Sequence, residues 1–451
     1  MSSTAATAST MARVGVEAKK RNSTAEIVAA SMVGTAIEFY DNYCYSIAAA
    51  SYFGLIFFTD VAKSDPVLAT LLSFVTFAVS FLARPFGSLL FGHFGDKLGR
   101  KKTLVVALML MGIATFVVGL LPGYEVLGPT SVVLLCVCRA CQGLGLGGEW
   151  SGAALVATEN APKNKRALYG SFPNMGAPIG FFCAYGVNLL LDSTLPADAM
   201  VAWGWRIPFW LALPLGYITH YIRTHLEDSP VYAQMQERMK EMGEKVEHPI
   251  RTLFTKHLRV LLISFGACVL NAVGFYAVLT YLPNYLETTL NYPPSDASTI
   301  TTIVLVVYIA FIFLSGRVSD KVGRKKMLIG ACVGFILFTV PAFMLLGTMN
   351  FWVILIVELF MCLLLTINDG TLASYLTETF PTDVRYSGFA LSFNLANAIF
   401  GGSASFISFW LIDLTGNAIA PAWYMVAIAV VAFVAMCMTH DHSGKKLDDV
   451  K

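Results

Sequence analysis

Ionisable side chains are rare inside long apolar runs, and those in this chain are its candidates for chemistry. Glu38 and Asp41 fall in the first such run, Arg84 in the second, Arg139 and Glu149 in the fourth, and Glu358 and Asp369 in the tenth. A charge at the centre of a bilayer costs about 2.5–3.5 kcal/mol on insertion scales, so each needs a reason to be there. Glu38 and Asp41 are three residues apart, which places both carboxylates on one face of a helix. Two acids held together in a poorly hydrated cavity are suited to taking up and releasing a proton as a coupled pair. The plainer alternative is permanent ion pairing with Arg84 or Arg139. A guanidinium does not give up its proton, so Arg84 and Arg139 should each face a carboxylate, the protein's own or a solute's. Glu149 follows a glycine pair and reads as a packing and gating residue, while Arg206, beside two tryptophans, reads as an interfacial anchor.

Aromatic residues accompany these charges. Tyr40, Tyr43 and Tyr45 in the first run and Phe275, Tyr276 and Tyr281 in the seventh could line a cavity, with Asn271 and Asn284 as polar companions. Aromatic faces attract a quaternary ammonium through the ring quadrupole; ordinary helix packing would explain them equally well.

The elements that must position these residues are membrane helices. Charged residues make up 13% of the 451 residues, about half the ~25% usual in soluble domains, and the mean hydropathy is +0.65. Segmentation at charge clusters and turn residues predicts spans near 27–57, 68–92, 103–122, 131–157, 166–191 and 203–224, then near 257–287, 297–315, 327–348, 351–376, 386–412 and 419–439. Lys and Arg collect in alternate loops: Lys19, Lys20 and Arg21; Lys97 to Lys102; Lys163 to Arg166; Lys321 to Lys326; Arg385; Lys445 and Lys446. The positive-inside rule then places both termini in the cytoplasm.

This predicts an all-α membrane protein of two six-helix bundles, 26–224 and 257–440. The bundles are joined by a cytoplasmic linker over 225–256 and flanked by tails over 1–25 and 441–451. The first apolar run is too long for a cleaved signal. Within the linker, Glu227 and Asp228 precede a segment with Met235, Met239 and Met242 that reads as a short amphipathic surface helix. The nine cysteines lie mostly in apolar runs and lack the clustering of a zinc site, so neither metal nor cofactor is expected. A near-balanced formal charge of +2 gives no nucleic-acid signal. No phosphate-binding glycine loop and no nucleophile–base constellation occurs, which disfavours an ATP-driven pump and an enzyme.

The chain is also an internal repeat. The block Gly92-His-Phe-Gly-Asp96-Lys97-Leu-Gly99-Arg100-Lys101-Lys102 returns as Gly316-Arg-Val-Ser-Asp320-Lys321-Val-Gly323-Arg324-Lys325-Lys326. Likewise Glu159-Asn-Ala-Pro162-Lys-Asn-Lys-Arg166 returns as Glu378-Thr-Phe-Pro381-Thr-Asp-Val-Arg385. Copies of like orientation are parallel repeats, related by an axis along the membrane normal.

On these blocks the sequence resembles the major facilitator superfamily. Glu38-Phe-Tyr-Asp41, Arg84-Pro85-Phe-Gly87, the glycine-rich Gln142 to Glu149, Trp203 to Phe209 and Phe380 to Ser387 resemble its metabolite:proton symporters. That group carries proline and betaine, citrate, 2-oxoglutarate or shikimate. The resemblance implies a secondary transporter of the inner membrane that works as a monomer. Glu38 and Asp41 would couple protons, and Tyr40, Arg84, Arg139, Asn271, Tyr276 and Asn394 would bind solute. A latch between the halves would use Gly92, Asp96, Gly99, Arg100, Glu149, Glu159, Arg166, Asp320, Arg324, Glu378 and Arg385, with Glu159 expected to join Arg166 and Glu378 to join Arg385. The glycines at 92, 95 and 99 are expected to let the chain turn sharply outside the bilayer. The stretch Tyr276 to Tyr285 resembles the proline/betaine members, whereas Phe393 to Gly402 resembles the citrate branch, so the solute is expected to be a small carboxylate or zwitterion. The alternatives are a proton-coupled efflux antiporter and a non-transporting nutrient receptor on the same fold.

Overall fold

The computed structural model describes residues 23–224, 229–242, 248–445 and 447. Lys19, Lys20, Arg21, Glu227, Asp228 and Lys446 lie outside the described residues. The principal helices of the first half are α1 (Thr24–Ser51), α2 (Pro66–Leu98), α3 (Arg100–Val118), α4 (Pro129–Glu159), α5 (Arg166–Thr194) and α6 (Ala212–Thr224). Those of the second are α7 (Leu258–Tyr276), α8 (Pro294–Val322), α9 (Arg324–Leu346), α10 (Phe351–Thr379), α11 (Arg385–Ala396) and α12 (Ala420–Met438). Ten of the described helices are long and apolar enough to cross a membrane. The other two principal helices are α1, which carries Glu26, Glu38 and Asp41, and α6, which is preceded by a broken stretch with a 3₁₀ turn at Gly204–Arg206. The first expected span is shorter than read: its helix ends at Ser51, and Phe53–Phe57 forms a separate turn.

Local sequence explains the ends. Ser23 and Glu26 form a capping box on α1, with Glu26 N donating to Ser23 Oγ at 3.2 Å and Ser23 N to Glu26 Oε2 at 2.6 Å. Asp65 accepts from Leu68 N at 3.0 Å, with Pro66 opening α2. Two helices continue through a π-helical segment, Ala277–Tyr281 after α7 and Asn397–Gly401 after α11. Such bulges often mark functional positions, and these two follow Tyr276 and start at Asn397.

Helices α1–α6 pack among themselves, chiefly α1 on α5 and α2 and α3 on α4, and α7–α12 do so through α10 and α12. The halves meet where α11 lies on α2 and α4, and where α8 and α10 lie on α5. The outer face is apolar: Val75, Leu82 and Phe86 along α2 are 62%, 66% and 67% exposed, the pattern of a surface solvated by lipid.

The glycines of the repeated block divide into two roles. Gly99 (φ 118°) and Gly323 (φ 102°) make the turns between α2 and α3 and between α8 and α9, in backbone that L side chains rarely adopt. Gly92 and Gly95 lie inside α2 and make no turn. A Cβ on Gly92 would stand 2.7 Å from Ser387 Cα, and one on Gly95 would collide with the Tyr386 ring. Their expected turn role is therefore corrected: they let α2 approach α11 backbone to side chain. The second copy does the same, since a Cβ on Gly316 would stand 3.1 Å from Leu168 Cα. Gly99→Ala and Gly323→Ala should each cost about 1–3 kcal/mol of stability. Thermal unfolding of the purified variants in detergent measures this, and unchanged midpoints would refute the strain.

Candidate functional site

Between the halves lies a cavity of about 40 Å³, room for ordered water but not for a metabolite. The first half lines it with Glu38 and Phe39 from α1, Arg84 from α2, Trp150 from α4 and Asn174 from α5. The second half adds Asn271, Phe275 and Tyr276 from α7, Asp369 from α10, and Phe393 and Asn397 from the α11 region. Aromatic contacts cross between the halves, with Phe39 5.7 Å from Phe275 and Phe81 5.8 Å from Tyr276 between ring centroids. Trp150 stacks on Phe393 at 3.8 Å. Arg84 lies over the Phe81 ring at 4.5 Å and is the principal charge acting on Glu38. Among the described residues, its Nε and Glu38 Oε2 are buried without a hydrogen-bond partner. A larger recess of about 740 Å³ between α3 and α6 is lined, among the described residues, by apolar side chains such as Leu108, Met109 and Ile113, with His220.

Glu38, Arg84, Asn271 and Tyr276 thus reach the cavity; several other expected site residues do not. Glu38 and Asp41 do not share an environment. A separation of three residues leaves a 60° offset around the helix, and the neighbours on either side are different. Glu38 turns to the cavity, whereas Asp41 turns into the first half, where its Oδ1 accepts from Gln142 Nε2 at 3.0 Å and Arg139 Nη1 stands 4.0 Å from its Oδ2. Gln142 also donates to Thr115 Oγ1 at 2.9 Å and accepts from Arg139 Nη1 at 2.8 Å. Arg139 lies over the Tyr45 ring at 3.9 Å, fully buried away from the cavity. Tyr40 points outward from the cavity and donates to Pro208 O at 2.8 Å. Asn394 donates across the interface to Gly147 O at 3.0 Å and is a packing contact, not a cavity wall. Asn284 is exposed at the far end of the α7 region. Arg206 donates to Leu121 O at 3.1 Å and lies over Trp205, consistent with anchoring.

Glu149 forms a bidentate pair with Arg223 of α6, Oε2 accepting at 2.6 Å. Both partners belong to the first half, so this pair is no part of the contacts between halves. Arg223 escaped the sequence reading because it stands near the end of its run, where an arginine reads as an anchor. Trp150, Asn174, Asn397 and Asp369 were also missed as cavity residues. For Asp369 the signal was present, a carboxylate deep in the tenth span.

At the end carrying the repeated blocks, two related ionic clusters seal the halves together. Asp96 pairs with Arg100 and accepts from the backbone N–H groups of Tyr386 and Ser387, at 3.0 and 2.8 Å, in the first turn of α11. Asp320 does the same for Ala167 and Leu168, both at 3.0 Å, in the first turn of α5. Arg100 and Arg385 converge on Glu159 at 3.5 and 3.1 Å; Arg324 and Arg166 converge on Glu378 at 3.2 and 3.4 Å. The expected pairing is corrected: Glu159 meets Arg385 and Glu378 meets Arg166, each acid taking the arginine of the opposite half. In each repeat the acid ends one helix and the arginine begins the next, and the interface presents the other copy's arginine closer.

Chain segments from outside the bundles close over this lock. Arg166 donates to Lys445 O at 2.7 Å, Arg385 to Leu447 O at 2.9 Å, and Arg324 N to Ser443 Oγ at 2.8 Å. The helix Pro230–Glu241 supplies Tyr232, whose ring lies 5.0 Å from the Arg100 guanidinium.

A family profile described as the Major Facilitator Superfamily matches residues 32–405 and 264–448. The chain belongs to the major facilitator superfamily. It is 40% identical to the inner membrane metabolite transport protein YhjE of Escherichia coli, over 94% of this chain and 96% of that protein. It is 33% identical to the glycine betaine/proline/ectoine/pipecolic acid transporter OusA of Dickeya dadantii, over 93% and 84% respectively. Among solved structures, the proton:xylose symporter XylE bound to 6-bromo-6-deoxy-D-glucose matches with a TM-score of 0.76 at 20% identity, over 94% of this chain and 98% of that one. This likeness shows the shared twelve-helix, two-bundle fold.

Asp96→Asn should leave membrane insertion intact, since neither span nor turn depends on it, yet lower transport by loosening the contact to α11. Breaking one partner of a buried pair costs about 3–5 kcal/mol. Wild-type uptake by Asp96→Asn in membrane vesicles would contradict a functional lock. Asp320→Asn should behave alike if the two clusters are equivalent.

Proposed function

We propose that the protein is a proton-coupled symporter that takes up a small zwitterion or organic acid by alternating access. The observation that carries this reading is the division of labour on α1. Glu38 lines the cavity beside Arg84, while Asp41, one turn further, is held with Arg139 and Gln142 inside the first half. One helix therefore touches both a solute site and a separate acid–guanidinium pair.

In this reading Asp41 carries the transported proton. Ionised, it holds Arg139 through Gln142; protonated, it releases that attraction and lets α1 shift against α4. Glu38 competes with the solute carboxylate for Arg84, and the shift of α1 that follows protonation of Asp41 draws Glu38 off Arg84, so proton and solute each raise the other's affinity, as linkage requires. Tyr276 and Asn271 complete the polar wall. The lock of Asp96, Arg100, Glu159 and Arg385, with its copy, holds the cavity closed at one end. That end is the cytoplasmic one, as the Lys- and Arg-rich loops imply, which puts both termini in the cytoplasm. The rocking bodies are 26–224 and 257–440, with 225–256 as linker and the tails as its neighbours. The working unit is a monomer. The membrane is the inner membrane, as for YhjE.

Reconstitution separates coupling from binding. In proteoliposomes Asp41→Asn should exchange labelled solute in counterflow at a rate within a few-fold of wild type. It should not accumulate solute uphill under an imposed ΔpH. Uphill accumulation by the double variant Glu38→Gln/Asp41→Asn would rule out both acids as the coupling groups.

A further inference from the structure

The cavity contains a second carboxylate that the coupling scheme leaves idle. Asp369 reaches it from α10, opposite the wall that carries Arg84 and Glu38. We propose that Asp369 selects a solute bearing a cationic head, an ammonium or quaternary ammonium on the same molecule whose carboxylate docks on Arg84. This rests on the reading of the cavity as the solute site and narrows the solute to zwitterions.

Several observations converge on it. Asp369 is 2% exposed and both its oxygens are held: Oδ2 accepts from the Tyr308 hydroxyl at 2.6 Å and Oδ1 from Asn271 Nδ2. The backbone beneath is fixed as well. Asn174 donates to Asp369 O at 3.0 Å and is itself oriented by Trp150 Nε1 at 2.9 Å. This framework comes from four other helices and leaves the carboxylate little freedom to turn towards another partner. The donors that hold it are neutral. Among the described residues no Lys, Arg or His forms an ion pair with Asp369, unlike the acids of the lock, each of which meets at least one arginine. A buried carboxylate with oriented neutral donors and no counter-ion is a site prepared for a cation that arrives from elsewhere.

The surroundings suit the same ligand. Trp150 and Phe393, stacked at 3.8 Å, border the cavity with Phe39 and Phe275, and aromatic faces favour a desolvated ammonium. Charge balance points the same way. The cavity walls hold two acids and one guanidinium, so a dicarboxylate would add like charge to an acidic site, whereas a zwitterion adds none and offers each wall its opposite. Such a solute would touch both halves, Arg84 on one and Asp369 on the other, and so bind most tightly when they close on it.

The test uses an isosteric pair on the purified full-length protein: glycine betaine, and 3,3-dimethylbutyrate, which has the same shape and carboxylate but a carbon in place of the nitrogen cation. Wild type should bind glycine betaine about ten- to thirtyfold more tightly, the size of one desolvated cation contact. Asp369→Asn should abolish that preference while still binding 3,3-dimethylbutyrate, which also shows that the variant is folded. Tyr308→Phe, which keeps the carboxylate but frees one oxygen, should fall between the two. A preference that survives in Asp369→Asn, or a wild type that does not distinguish the pair, or one that binds succinate and neither member of it, overturns the proposal. Arg84→Gln reports on the underlying reading separately: it should weaken both compounds together, and binding unaffected by it would show that the cavity is not the solute site.

Discussion

The structure depends on a helix-capping interaction made across a domain boundary. The first N–H groups of an α-helix have no partner within it, and the helix dipole concentrates positive charge there. In α11 and α5 those groups are satisfied by a carboxylate from the opposite half, Asp96 in one case and Asp320 in the other. Separating the halves at this end therefore exposes helix ends as well as ion pairs. Because each aspartate is also paired with an arginine one turn on, its charge is already balanced before the halves meet.

This arrangement suits a part that must open and close. A buried ion pair gains little over a hydrophobic contact because of the water both charges give up, but it is sensitive to geometry and can be remade with water when it opens. The close packing enforced by Gly92 and Gly316 adds the short-range part: the contact is strong when the helices touch and is lost once they part by an ångström or two. The lock and the cavity are joined by the same helices, since α2, α4, α5, α10 and α11 contribute to both. In the proposed mechanism a change in what the cavity holds would reach the lock through these shared helices.

Much of this was legible in the sequence. The apolar runs, the alternating Lys and Arg and the repeated block pointed to twelve helices in two related bundles, and the family match agrees. The lock residues were legible as a set because they recur as a set. Their partners were not, since a motif repeated in each half reads the same whether its charges pair within a copy or between copies. At the cavity, Glu38, Arg84, Asn271 and Tyr276 stood out as polar groups in apolar runs. Tyr40, Asp41 and Arg139 stood out for the same reason and turned elsewhere, because a helical face wide enough to include residues three apart touches more than one neighbour.

The sequence by itself determined the number and kind of helices, the repeat and the inventory of intramembrane charge, for these follow from local hydropathy and residue type, which lipid tests one segment at a time. Only the tertiary structure decided which charge faces which. Separating Glu38 from Asp41, crossing Glu159 to Arg385 and holding Asp369 with the neutral donors Asn271 and Tyr308 all depend on the rotation of each helix about its axis. That rotation is set by packing against several neighbours at once, and no single segment contains it.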